Sequence, residues 1–152
     1  MTATPILPKE LGQMIEWRRI LHANPEVSGA EVQTRSFILQ QLERMNIPVQ
    51  TFDSHAGIVA TLEGKTGGGV IALRADMDAL PVNEETGLPY ASKTPGVMHA
   101  CGHDGHMAML LGAATALQTN RNAWRGTVKL VFQPAEEAAP NGGAPLMIKD
   151  GI

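Results

Sequence analysis

The stretch MHACGHDGHM, residues 98–107, places His99, Cys101, His103, Asp104 and His106 within a few positions of one another. It holds three of the five histidines and the sole cysteine of the chain. A thiolate and an imidazole two residues apart can grip one metal ion if the loop is tight, and Gly102 between them lets the backbone bend. A helix N-terminus behind the pair would favour the thiolate, and a divalent cation would deprotonate the thiol outright. A lone Cys-Gly-His more often marks a structural cysteine beside solvated histidines. Three further ligand-type side chains in the same loop turn the reading towards a metal site.

Two carboxylate pairs accompany this loop. Glu136 and Glu137 are adjacent in QPAEE, directly after an apolar run. In an extended segment, neighbouring side chains point to different sides, so one can bind metal while the other serves a water as general base. Asp76 and Asp78, in RADMDALP, share a side of an extended chain. They suit either metal coordination or hydrogen bonding to histidine ligands. His22 and His55 stand apart from any cluster and read as helix-end and loop residues.

The elements that must carry these groups are legible from periodicity. PKELGQMIEWRRILHANPE reads as a helix with Leu11, Met14, Ile15, Arg18 and Leu21 on one stripe, stopped by Pro25. SGAEVQTRSFILQQLERMNIP reads as a second helix. Ser28 is its expected N-cap, Glu31 completes a capping box, and Ile38, Leu42 and Met45 form the buried stripe. GIVATLEG (57–64) and GVIALRAD (69–76) are expected strands joined by GKTGGG. Residues 104–120 read as a long helix, and GTVKLVFQP (126–134) as a central buried strand. NGGAPLMIKDG reads as a turn and the start of another helix. Helices alternating with buried strands predict an α/β domain with a largely parallel sheet. In such sheets ligands bind beyond the carboxyl ends of strands, where two of the three polar clusters fall. The GKT at 64–66 is not a phosphate loop: Val59 stands where the motif needs glycine, and the triplet joins two strands.

Composition narrows the class of function. The chain has 152 residues, 43% hydrophobic, with a net charge of −3. That length suits one soluble domain. No basic run exceeds Arg18–Arg19 and aromatic residues make up 4%, so neither a nucleic-acid footprint nor a polybasic membrane patch is present. The start MTATPILPKELGQ is a poor secretory leader, and the apolar stretch 107–117 is short of the ~20 residues a membrane span needs. A single cysteine precludes an internal disulfide, and a reducing cytoplasm is the expected setting.

The segments LRADMDALPVNEETGLPYAS, GVMHACGHDGHMAMLLGAA, and GTVKLVFQPAEE followed by GGAPLMIKDG closely resemble the metal-dependent amidohydrolases. That family includes hippurate hydrolases, N-acyl-amino-acid aminoacylases and auxin-conjugate hydrolases, within a wider group of two-metal exopeptidases. RRILHANPEVSGAEVQT is similar to the first two helices of the family. The resemblance implies an α/β catalytic domain with helices around a largely parallel sheet. It makes Cys101, His103 and Glu137 metal ligands and Glu136 the general base. The wider group has His-x-Asp where this chain has Asp76-Met77-Asp78, so the two aspartates are expected to support the ligands. The roles of His99 and His106 stay open, and no substrate-binding residue is assigned.

The implied reaction is hydrolysis of the amide of an N-acyl amino acid by a metal-activated water. Its cofactors would be divalent ions, Zn²⁺ or Mn²⁺, two to a complete site. Family members are longer, with further histidine ligands and a smaller lid domain that often dimerises. Residues 1–152 are therefore expected to be a truncated, N-terminal part of the catalytic metal-binding domain. Such a chain should bind metal weakly, turn over little substrate, and carry an unpaired sheet edge with poor solubility. Two other readings compete. One is a thiol hydrolase with Cys101 as nucleophile, which leaves the glutamate pair without a role. The other is a non-catalytic metal-binding remnant.

Overall fold

The computed structural model describes residues 8–152. Residues 1–7, which fall in the stretch read as a poor leader, lie outside the described residues. Helix α1 (Pro8–Ala23) buries Trp17 and Leu21, with Met14 partly buried beside them. Leu11 and Ile15 are 51% and 43% exposed, so the expected stripe is corrected to Met14–Trp17–Leu21. Trp17 offers the largest apolar area on this helix and sets which side faces inward.

Helix α2 (Val32–Arg44) buries Ile38 and Leu42 as expected, but its cap is different. The Ser28 hydroxyl donates to the Asp78 carboxylate at 2.6 Å. Glu31 occupies the N-cap position without capping. Glu26 does the work instead, accepting from the Gln33 and Thr34 amides at 3.1 and 2.9 Å. A charge-assisted bond to a buried carboxylate outcompetes a neutral cap for the serine hydroxyl.

Four strands follow: β1 (Val49–Thr51), β2 (Ile58–Glu63), β3 (Lys65–Asp76) and β4 (Arg125–Gln133). They form one sheet in the order β1-β2-β4-β3. The sheet is mixed. β3 and β4 run parallel, whereas β1/β2 and β2/β4 are antiparallel. The parallel relation thus holds for the pair whose ends bear chemistry. β4 is paired on both sides, as its continuous apolar run required. Val128, Leu130 and Phe132 face a core built with Ile58, Ala60 and Leu62 of β2 and with α1, α2 and α3 (His103–Thr119). Val131 and Val59 face the other way and pack with Phe52 and Met147 of α4 (Gly143–Lys149). Among the described residues β3 has one strand neighbour, and its Val70 and Ile71 are 67% and 58% exposed. No described helix is long and apolar enough to cross a membrane.

This topology brings three loops to one place. Because β3 and β4 are parallel neighbours with Asp76 opposite Gln133, their carboxyl ends lie side by side. The Met77 amide donates to the Gln133 carbonyl at 2.8 Å and carries the pairing one residue further. The start of α3 is drawn to the same end through His103, whose ring bonds to Asp78.

Candidate metal centre

Gly102, with φ +88°, turns the chain so that α3 begins at His103, two residues after Cys101. The left-handed conformation is open to glycine without the Cβ penalty. His103 Nδ1 donates to the Asp78 backbone carbonyl at 2.9 Å, which aims Nε2 away from the helix. Nε2 lies 3.9 Å from a Glu136 oxygen and 3.9 Å from a Glu137 oxygen. Ligand atoms of Cys101, His103 and Glu137 all fall within 4.8 Å of one another. The two separations from His103 Nε2 to the glutamate oxygens are too long for hydrogen bonds. They are near the spacing of atoms that share one cation at about 2.0–2.3 Å each. Sulfur, imidazole and carboxylate donors suit a borderline-soft divalent ion.

Asp78 organises this cluster from behind. It is 1% exposed and receives the Ser28 hydroxyl at 2.6 Å and the Glu137 amide at 2.9 Å, with His103 Nδ1 at 3.4 Å. Burial opposes its charge, but hydrogen bonds from His103, Ser28 and the Glu137 and Glu136 amides outweigh it. They hold the carboxyl well below the usual carboxylate range. The Asp78 carboxylate in turn pulls the His103 pKa up to about 9 against the effect of burial. A cation bound at Nε2 would displace a proton held there. Asp76 parts company with Asp78, because β3 ends at Asp76 and the alternation ends with it. Asp76 instead pairs with Arg74 at 2.8 Å.

The glutamate pair departs from the expected geometry. β4 ends at Gln133, and Ala135 adopts φ +52°, so Glu136 and Glu137 follow a turn and not an extended strand. Their carboxylates converge on His103 Nε2 instead of pointing to different sides. The turn is enforced from both flanks. Ala135 N–H donates to Glu31 at 2.7 Å, and a Cβ on Gly143 would stand 2.0 Å from the Pro134 carbonyl oxygen. Burial raises the pKa of Glu31, opposed by hydrogen bonds from its own and neighbouring amides. Cys101 is exposed, and a hydrogen bond to Glu137, aided by the charges of Glu136 and Asp76, pushes its thiol pKa up. A thiol nucleophile needs the opposite shift, which weighs against the thiol-hydrolase reading.

A second polar cluster, which the sequence did not reveal, lies on the other side of the α3 start. Asp104 accepts from Arg18 Nε at 2.7 Å and from His22 Nδ1 at 2.8 Å. His22 Nε2 meets Glu84 at 3.1 Å. Glu84 also accepts the Ser92 amide at 2.6 Å and the Thr86 hydroxyl. His22, read as a helix-end residue, is therefore a buried link between two carboxylates. The Arg18–His22 spacing of four on α1 was the one local sign of it. His99 is 4% exposed, and neither ring nitrogen has a hydrogen-bond partner among the described residues. Burial pushes its pKa down to about 4. His106 is exposed, its ring 5.8 Å from that of His103. His55 packs on Phe52 and meets Asp150 at 3.2 Å, far along the chain from the cluster.

Comparison with known proteins gives consistent matches. The model of peptidase family M20/M25/M40 matches residues 72–152. An N-acetyl-L-cysteine deacetylase of Bacillus subtilis is 50% identical over 91% of this chain and 33% of its own length. An N-acyl-L-amino acid amidohydrolase of Geobacillus stearothermophilus is 47% identical over 91% of this chain and 37% of its own. The crystal structure of the Bacillus subtilis YXEP protein, described as a dinuclear metal binding peptidase, superposes with a TM-score of 0.89 at 44% identity. It covers 94% of this chain and 40% of that one. The chain spans about a third of the length of the curated relatives it matches.

Proposed function

The chain belongs to peptidase family M20/M25/M40, and from that premise we propose that it carries part of a divalent-cation site for hydrolysing the amide bond of N-acyl amino acids. The observation that carries this reading is the approach of Cys101, His103 and Glu137 ligand atoms to within 4.8 Å of one another. The names of the relatives, an N-acyl-L-amino acid amidohydrolase and an N-acetyl-L-cysteine deacetylase, favour small acylated amino acids as substrates. Hippurate, a benzoylated glycine, is the first substrate to try. Zn²⁺ and Mn²⁺ both suit the donor set. We read residues 1–152 as the N-terminal part of the catalytic domain, working in the cytoplasm, where an unpaired cysteine stays reduced.

Cys101, His103 and Glu137 would hold the cation. When bound, it supplies Lewis-acid polarisation of the amide carbonyl and a lowered water pKa. Three protein donors would leave room at the cation for substrate or water. Glu136, its side chain 40% exposed and 3.9 Å from His103 Nε2, is the general base. It takes a proton from the attacking water at its carboxylate and returns it to the leaving amine. Asp78 keeps the His103 ring in the tautomer and direction that free Nε2 for this work.

Metal analysis of the purified chain after equilibration with Zn²⁺ or Mn²⁺ tests the reading. Cys101→Ser and Glu137→Ala are expected to lower bound metal about tenfold or more. Glu136→Gln should keep the metal and reduce any hippurate turnover by about 10²–10⁴. The chain alone is expected to turn over slowly. Metal content unchanged in both ligand variants would overturn the assignment.

A further inference from the structure

One buried carboxylate stands outside the ligand cluster yet touches the turn that carries it. Glu31 is 1% exposed, and its Oε2 has no hydrogen-bond partner among the described residues. Such a group is costly in a core. It does not cap α2, since Glu26 does that. Its other oxygen accepts the Ala135 amide at 2.7 Å, across 104 positions of sequence.

The Ala135 amide sits at a sensitive point. Ala135 has φ +52° and immediately precedes Glu136 and Glu137. The amide on the far side of Glu136, that of Glu137, is held by Asp78 at 2.9 Å. The Ala135 carbonyl accepts from Gly143 at 3.0 Å. Glu137 lies two residues beyond Ala135, so its Cα is at most about 7 Å away and a rotation of ~10° there displaces it by up to about 1 Å. Ligand sites tolerate about half that.

We propose that Glu31 is a positioning residue of the cation site, holding the Ala135 amide and so fixing the direction in which Glu136 and Glu137 leave β4. The inference rests on the reading of Cys101, His103 and Glu137 as cation ligands. What matters is the acceptor oxygen. Gln retains it, whereas Met fills the same volume and lacks it.

Co²⁺ titration of the chain, followed by visible absorption, is the test. Glu31→Gln should bind with a Kd within about threefold of the unmodified chain and with the same d–d bands. Glu31→Met should weaken Co²⁺ binding by about 10- to 100-fold and shift those bands. Ile38→Val, fully buried in the helix that follows Glu31, should lower the melting temperature and leave both readouts unchanged. Wild-type Co²⁺ affinity and bands in Glu31→Met would overturn the proposal, as would Glu31→Gln weakening like Glu31→Met. If Glu31→Met does not fold, hydrogen exchange of the Ala135 amide in the unmodified chain decides. Protection equal to that of β4 supports a held amide, and loop-like exchange overturns it. Absence of Co²⁺ binding to the unmodified chain would instead sink the cation reading, and this inference with it.

Discussion

His103 and Asp104 are neighbours in sequence at the first turn of α3, yet they serve clusters of opposite character. Asp104 closes a network in which Arg18, His22 and Glu84 meet their partners at 2.7 to 3.1 Å. His103 faces Glu136 and Glu137 at 3.9 Å, with Cys101 alongside. In the first cluster polar groups satisfy each other by direct hydrogen bonds. In the second, carboxylates are gathered around a histidine at distances that no hydrogen bond explains. Short, mutually satisfied contacts hold the helix start in place, and long, convergent ones suit an ion. The closed cluster supplies the rigidity that the open one needs.

The largest expected effect separates the two by stability. Asp104→Ala leaves His22 and Arg18 without their shared carboxylate. Breaking a buried pair costs about 3–5 kcal/mol, and the lower end applies because Arg18 is 35% exposed. At this chain length that lowers the melting temperature by roughly 6–12 °C. Glu137→Ala, measured with chelator present, should change stability by no more than about 0.5 kcal/mol. Removing one of several crowded carboxylates relieves like-charge repulsion, so a slight gain fits the same picture. Urea unfolding of both variants makes the comparison. Equal losses would erase the distinction between the clusters.

A smaller effect reads the closed cluster through pH. The Glu84 pKa is held down to about 2, chiefly by the Thr86 hydroxyl, with the Ser92 amide and His22 adding to it. In the unfolded chain the ordinary value is 4.5. Between these values the unfolded state binds more protons. The stability Glu84 contributes is therefore fully present above pH 4.5 and is lost as pH falls towards 2. Unfolding free energies of the unmodified chain and Glu84→Gln should converge across that window. Parallel curves would show that Glu84 titrates alike in both states and is not held by the network.

What could be read in advance divides along the same line. Cys101 and His103 are near neighbours in one loop, and Glu136 and Glu137 are adjacent after an apolar strand. Short-range pattern and the rule of strand ends were enough to mark them. The closed cluster is assembled from positions 18, 22, 84 and 104, and nothing local connects Glu84 to His22. Glu31 was hidden more deeply, because Ser28 and Glu31 have the spacing of a capping box. Only the position of Asp78 shows why the serine turns away. The α/β class followed from alternating helices and apolar strands. β1 did not, because its three residues are exposed and lack a buried face to pattern. The mixed sheet was illegible too, since an apolar run reports burial and not the direction of its neighbour.

The smallest effect tests the joint between the clusters. Gly102, at φ +88°, has no atom within 4 Å of where a Cβ would stand, so Gly102→Ala strains the backbone without a clash. The cost is about 1 kcal/mol, or roughly 2–4 °C in melting temperature. Gly102→Asn should lose less, since asparagine tolerates the left-handed region. The strain has two ways to relax. Towards α3 it meets His103, fixed on the Asp78 carbonyl, and Asp104, fixed by Arg18 and His22. Towards Cys101 it meets an exposed side chain. It should therefore relax into Cys101, moving the sulfur and leaving the closed cluster intact. Cation affinity in Gly102→Ala should then fall by more than the factor of about five that 1 kcal/mol represents. An unchanged affinity with a large loss of stability would mean that the strain had gone into the closed cluster and that the open one is the stiffer of the two.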